Sequence, residues 1–126
     1  MAVQRIQPDG LSKPPTYSQV VKAGNTVYLA GQVAQDENGQ VVGPGDFVAQ
    51  ANQVFENLAK GLEAAGAGFG DLVKITTYLT DVRYRMDFRV VRDEFFGQRG
   101  PASTMVEVSS LSHPDYLIEV EAIAVV

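Results

Sequence analysis

The chain has 126 residues and a mass of 13.6 kDa, so one domain spanning residues 1–126 is expected. Ten Lys and Arg against fifteen Asp and Glu give a formal net charge of −5, with no Cys, no Trp and one His. These counts exclude a disulfide framework, thiolate chemistry, iron–sulfur clusters, zinc ribbons and a paired-His metal site within one subunit. The acidic balance also disfavours nucleic-acid binding, which needs cations against phosphate.

In chain order, Val3 to Gln7 alternates and reads as an edge strand, broken by Pro8-Asp9-Gly10. Pro14-Pro15 forces an extended entry into a strand expected over Tyr17 to Lys22. A turn at Ala23-Gly24-Asn25 leads into a β-rich run, Thr26 to Val33, interrupted by Gly31. A glycine inside a strand marks a bulge or a close approach by another group. Asn38-Gly39 is a hairpin signal. From Asp46, a plausible N-cap, apolar residues at Phe47, Ala51, Val54, Phe55, Leu58 and Leu62 recur at helical spacing, and Gly66 stops the helix. Asp71 to Leu79 is β-branched and alternating, a strand. Arg85 to Phe96 fits a second helix ended by Gly97. A strand from Ala102 to Val108 follows Pro101, then a loop from Ser109 to Tyr116, then a last strand from Leu117 to Val126.

This order predicts an α+β two-layer sandwich, one mixed sheet with both helices on one face. Its other face would carry Tyr78 and Val106, and an uncovered face of that kind should associate with other copies. Absence of a leader-like apolar segment and of any run of ~20 apolar residues places the chain in the cytoplasm by default, away from the membrane.

Several residue groups then follow one another in a distinctive order: Tyr17-Ser18-Gln19-Val20-Val21, Ala30-Gly31-Gln32-Val33, Gln50 with Asn57-Leu58, and Ala65-Gly66. After them come Val73-Lys74, Leu79-Thr80-Asp81, Phe95-Phe96, Pro101-Ala102 and Ile118-Glu119-Val120-Glu121-Ala122-Ile123-Ala124. Over nearly the whole chain this resembles the RidA/YjgF family of reactive-intermediate deaminases, also called the endoribonuclease L-PSP family. The resemblance implies a chorismate-mutase-like fold, a homotrimer whose sheets face a central barrel, and ligand clefts at the subunit interfaces. It implies hydrolysis of small 2-imino or enamine acids, with no metal and no organic cofactor, and a small organic acid as ligand.

Carried onto this chain, the family's last-strand glutamate is Glu119, its cleft tyrosine is Tyr17 and its Gly-Gln pair is Gly31 and Gln32. Where the deaminases place a carboxylate-binding arginine after Pro-Ala, this chain has Ser103, followed by Thr104. A serine cannot supply the planar bidentate grip of a guanidinium. Ser103 and Thr104 could instead hydrogen-bond a neutral polar ligand, or simply lead from loop into strand.

Glu119 and Glu121 lie two apart on a strand and therefore share a face. Desolvated there, a carboxyl group of raised pKa could exchange a proton with water attacking an imine. Four of the six arginines fall between positions 83 and 92, with Arg85, Arg89 and Arg92 on one helical face. One reading is a solvated stripe balanced by neighbouring acids, with Arg89–Asp93 as an ion pair. The other aligns Arg89 on Phe95-Phe96 with a cleft-facing asparagine of the deaminases, so that it replaces the missing cation from a neighbouring subunit. His113, in a Pro-containing loop, reads as structural or exposed. Two functions follow: an imine or enamine hydrolase working through water near Glu119, or a non-catalytic trimer that binds small metabolites as a regulator or pathway partner. Ribonuclease activity is disfavoured by the acidic charge and the lack of a basic, aromatic strip.

Overall fold

The structure is a computed structural model that describes residues 2–97 and 99–126. Among the described residues, six strands form one sheet: β1 (Val3–Ile6), β2 (Val20–Ala23), β3 (Thr26–Gln32), β4 (Leu72–Leu79), β5 (Ala102–Glu107) and β6 (Ile118–Val125). Two helices, α1 (Phe47–Ala64) and α2 (Arg85–Phe96), complete the α+β sandwich that the sequence predicts. The sheet order is β1-β2-β3-β6-β4-β5. All neighbours are antiparallel except β4 and β5, which run parallel because α2 carries the chain back between them.

Local chemistry sets the start of α1 and the ends of both helices. The Asp46 carboxylate accepts from the Ala49 N–H at 3.0 Å and caps α1. Gly66 and Gly97, each at positive φ, follow the ends of α1 and α2. The aromatic centre is Phe55 of α1, whose ring lies 5.1–6.5 Å from those of Phe69, Phe88, Phe95 and Phe96. These contacts fix α2 against α1, and both helices cover one sheet face.

Strand alternation divides β6 cleanly. Ile118, Val120, Ala122 and Ala124 are buried under the helices, whereas Glu119, Glu121, Ile123 and Val125 project from the opposite face. That open face also carries Tyr78 beside Glu119 and Val106, and Tyr28 opposite Ile123. It is broad, partly apolar and not covered by this chain's own helices.

One strand begins later than expected. Residues 17–19 are not strand, because the β1–β2 ladder ends at Ile6–Val20. Before that point the Gln7 side chain takes over the backbone partners: it donates to the carbonyls of Pro14 and Tyr17 and accepts from the Gln19 N–H. An amide side chain thus holds the Pro14-Pro15 segment as a loop, with Tyr17 exposed on it.

Candidate functional site

Glu119 has a place made for it by a missing side chain. A Cβ on Gly31 would stand 2.8 Å from Glu119 Cδ and 3.1 Å from Cγ, and would overlap its Oε2. The glutamate therefore lies across the backbone of β3, at an irregularity in the β3–β6 register between Leu29 and Gln32. The glycine expected to mark a close approach marks this one. Burial, with a smaller push from the Glu121 charge, holds the Glu119 pKa above the usual carboxylate range. Glu121 itself accepts a hydrogen bond of 2.6 Å from the Tyr78 hydroxyl.

A cleft of about 350 Å³ opens over this carboxylate, lined by Tyr17, Gly31, Gln35, Ser112, Tyr116 and Glu119 among others. Burial chiefly raises the Tyr116 phenol's pKa, with Tyr17 and Asp36 adding to the shift. The loop that brings Ser112 and Tyr116 here is tied to α1 by buried Gln50. Its amide donates to the carbonyls of Asp115 and Gly43 and accepts from the Leu117 N–H at 2.8 Å. His113 is exposed on this loop, where its Nδ1 accepts from the Asp115 N–H and its ring packs 5.4 Å from that of Tyr116.

Gln32 does not line this cleft, contrary to the expectation that it touches ligand. It is buried, and its amide donates to Gln19 Oε1 at 2.8 Å and to the Ala30 carbonyl. Gln19 in turn donates to Ser12. The outcome is a buried amide network that fixes the Tyr17 loop to β3, so Gln32 positions the cleft wall from behind it.

Ser103 and Thr104 also part company, since neighbours on a strand face opposite ways. Thr104 lies on the open face, where its hydroxyl accepts from Lys74 Nζ at 2.6 Å. Ser103 faces the helix side and lines a second cleft, of about 330 Å³, with Met105 of β5 and Arg85, Met86, Phe88, Arg89 and Arg92 of α2. Arg89 and Ser103 therefore line one cleft of the same chain, whereas the sequence reading brought Arg89 in from a neighbour. The expected Arg89–Asp93 pair is absent as well: Asp93 accepts from Arg92 at 3.0 Å. Glu119 and Arg89 line separate clefts on opposite sides of the sheet.

Sequence reasoning missed Gln35, Ser112 and Tyr116 as cleft residues. The only available signal was Gln50, a polar residue on the apolar side of a helix, which implies a buried partner. Among the described residues no cluster of three or more His, Cys, Asp or Glu side chains is placed to hold a metal ion. No helix among them is long and apolar enough to cross a membrane.

The sequence model of the Endoribonuclease L-PSP family matches residues 11–126. A RutC family protein of Pyrococcus abyssi is 44% identical over 126 residues, covering 98% of each chain. The 2-iminobutanoate/2-iminopropanoate deaminase of Mus musculus is 39% identical over 113 residues, covering 86% of this chain and 80% of its own. Among solved structures, RidA from an Antarctic Psychrobacter matches with a TM-score of 0.90 at 38% identity, covering 98% of this chain and 99% of its own. The YjgF gene product of E. coli matches with a TM-score of 0.88 at 34% identity, over 97% and 98%. Fold, residue pattern and relatives agree along almost the entire length, and the chain belongs to the Endoribonuclease L-PSP (RidA/YjgF) family.

Proposed function

We propose that this chain is an imine hydrolase that converts a small 2-imino acid, or its enamine tautomer, and water into the 2-oxo acid and ammonia. The observation that carries this reading is the Glu119 carboxylate seated over Gly31 in a partly desolvated cleft. Its raised pKa suits a group that both takes and returns a proton. In the proposed course, Glu119 accepts a proton from water as the water oxygen adds to the C=N carbon. The substrate enters as its protonated iminium, so this addition gives a neutral carbinolamine. Glu119 then returns its proton to nitrogen while the C–N bond breaks, the hydroxyl proton passes to the departing ammonia, and the 2-oxo acid and ammonium remain. Relatives that bear the name 2-iminobutanoate/2-iminopropanoate deaminase support the reaction class.

The substrate carboxylate needs a cation, and the arginine of the deaminases is Ser103 here. Arg89, lining the same cleft as Ser103, takes that role. Because Glu119 and Arg89 lie on opposite sides of one sheet, they serve one substrate only where the clefts of two copies adjoin. A homotrimer that buries the partly exposed Tyr28, Val106 and Val125 of the open face, and sets the β5 edge of one copy beside the Glu119 cleft of the next, would supply this arrangement. Sedimentation should then report about 41 kDa, three times the chain mass of 13.6 kDa.

The test is the loss of freshly generated 2-iminopropanoate, followed by competition with semicarbazide. Glu119→Gln should slow the enzyme by about 10²-fold or more. Equal rates for both proteins, with ligand binding retained, would replace this reading with that of a metabolite-binding trimer. The serine at position 103 is the observation that favours that second reading.

A further inference from the structure

The cleft beside Ser103 holds more positive charge than one carboxylate requires. Arg85, Arg89 and Arg92 all line it, although the chain as a whole carries a net charge of −5. Spacings of four and three residues on α2 put them on one side of the helix. Among the described residues Arg92 pairs with Asp93, while neither Arg85 nor Arg89 is in an ion pair. Arg83, just before the helix, is by contrast fully engaged by Asp81, with its guanidinium donating to both carboxylate oxygens. Asp93 offsets part of this charge at Arg92, whereas the guanidinium groups of Arg85 and Arg89 repel one another unless an anion enters. Between them the cleft wall is apolar, made by Met86, Phe88 and Met105, and the Ser103 hydroxyl adds one neutral donor.

We propose that this cleft selects a small organic dianion, so that the substrate is a 2-imino dicarboxylate and the product a 2-oxo dicarboxylate. One carboxylate is held by Arg89 next to the reacting carbon, and the second by Arg85 and Arg92. The methionine and phenylalanine side chains pack against the carbon chain that joins them. The apolar wall is what favours a dicarboxylate over inorganic phosphate, which has no carbon surface to bury. This inference rests on the imine-hydrolase reading for the reaction and on the arginine geometry for the specificity.

Two measurements test it separately. Calorimetric titrations at fixed ionic strength compare succinate, butyrate and inorganic phosphate on the wild-type protein, Arg85→Gln, Arg92→Gln and, as a control outside the cleft, Arg83→Gln. Hydrolysis rates compare imines generated from aspartate and glutamate with that from alanine. Succinate should bind at least tenfold tighter than either butyrate or phosphate, and Arg85→Gln and Arg92→Gln should each reduce that preference about tenfold. Arg83→Gln should leave it unchanged. The kcat/KM ratio of dicarboxylic to alanine-derived imine should fall in parallel. All three arginines are solvent-accessible, so each variant should melt at the wild-type temperature, which is checked alongside the titrations. Equal binding of succinate and butyrate, or phosphate binding as tightly as succinate, overturns the dianion site. Hydrolysis of the alanine-derived imine without a dicarboxylate preference also overturns it while leaving the imine-hydrolase reading intact. Arginine-dependent succinate binding with no imine hydrolysis leaves the dianion site standing and overturns the reaction.

Discussion

Replacing Gly31 with alanine puts a methyl group where the Glu119 side chain now lies. The new Cβ would stand 2.8 Å from Glu119 Cδ and 3.1 Å from Cγ. Carbon atoms in contact prefer about 3.5 Å or more, so the carboxyl carbon must retreat by roughly 0.7 Å, and the oxygen nearest the methyl further still. The end of a glutamate side chain is flexible and the cleft is open on one side. The stability cost should therefore sit at the low end for overpacking, about 1 kcal/mol. Activity should suffer far more, since misplacing a reacting group by about an ångström costs about 10²-fold. Urea denaturation and kcat/KM on 2-iminopropanoate would be measured on Gly31→Ala, Glu119→Ala and the double variant. Removing the carboxylate removes the clash, so Gly31→Ala should cost less stability in the Glu119→Ala background, a coupling of about 0.5 kcal/mol or more. Full activity in Gly31→Ala, or strictly additive stabilities, would refute the idea that Gly31 exists to seat Glu119.

The raised Glu119 pKa predicts a pH-dependent effect of Glu119→Gln on stability. The folded chain holds this proton more tightly than the unfolded chain, so its contribution is fully present below the ordinary glutamate range, about pH 4, and is lost as pH rises through the raised value. Glu119→Gln should therefore melt at a higher temperature than wild type at pH 8 and lose that advantage at pH 4; a difference independent of pH would contradict this. Truncating Gln50 to alanine strands the Leu117 N–H and the Asp115 carbonyl, at a cost of about 2–3 kcal/mol. Urea denaturation would measure the loss, and amide exchange at Leu117 should quicken; a loss under about 0.5 kcal/mol would mean the loop is held by other contacts.

Periodicity determined most of what this sequence could tell. The apolar spacing from Phe47 to Leu62, the Asp46 cap and the following Gly66 fix α1 through contacts no more than four residues apart. The second helix has the predicted bounds of Arg85 to Phe96, with Gly97 at positive φ just after it. Strand alternation put Glu119 and Glu121 on one face, and it also separates Ser103 from Thr104, which the grouping of these two as one ligand site overlooked. The family resemblance picked out Tyr17, Gly31 and Glu119, and these three share a cleft.

Only the tertiary structure decided what each of these residues touches. Gly31 is small because a glutamate 88 positions later in the chain lies across it, a fact with no local signature. Gln32 looked like a ligand contact beside Gly31, yet the irregular register there turns it inward to Gln19. Tyr116 and Ser112 enter the cleft because Gln50, on another element, holds their loop. The three arginines were visible as a stripe, but the cleft they share with Ser103 depends on α2 connecting β4 to β5. Local spacing fixes the direction in which a side chain points. Its partner is set by strand register and by loops closed over long sequence separations, which propensity does not encode.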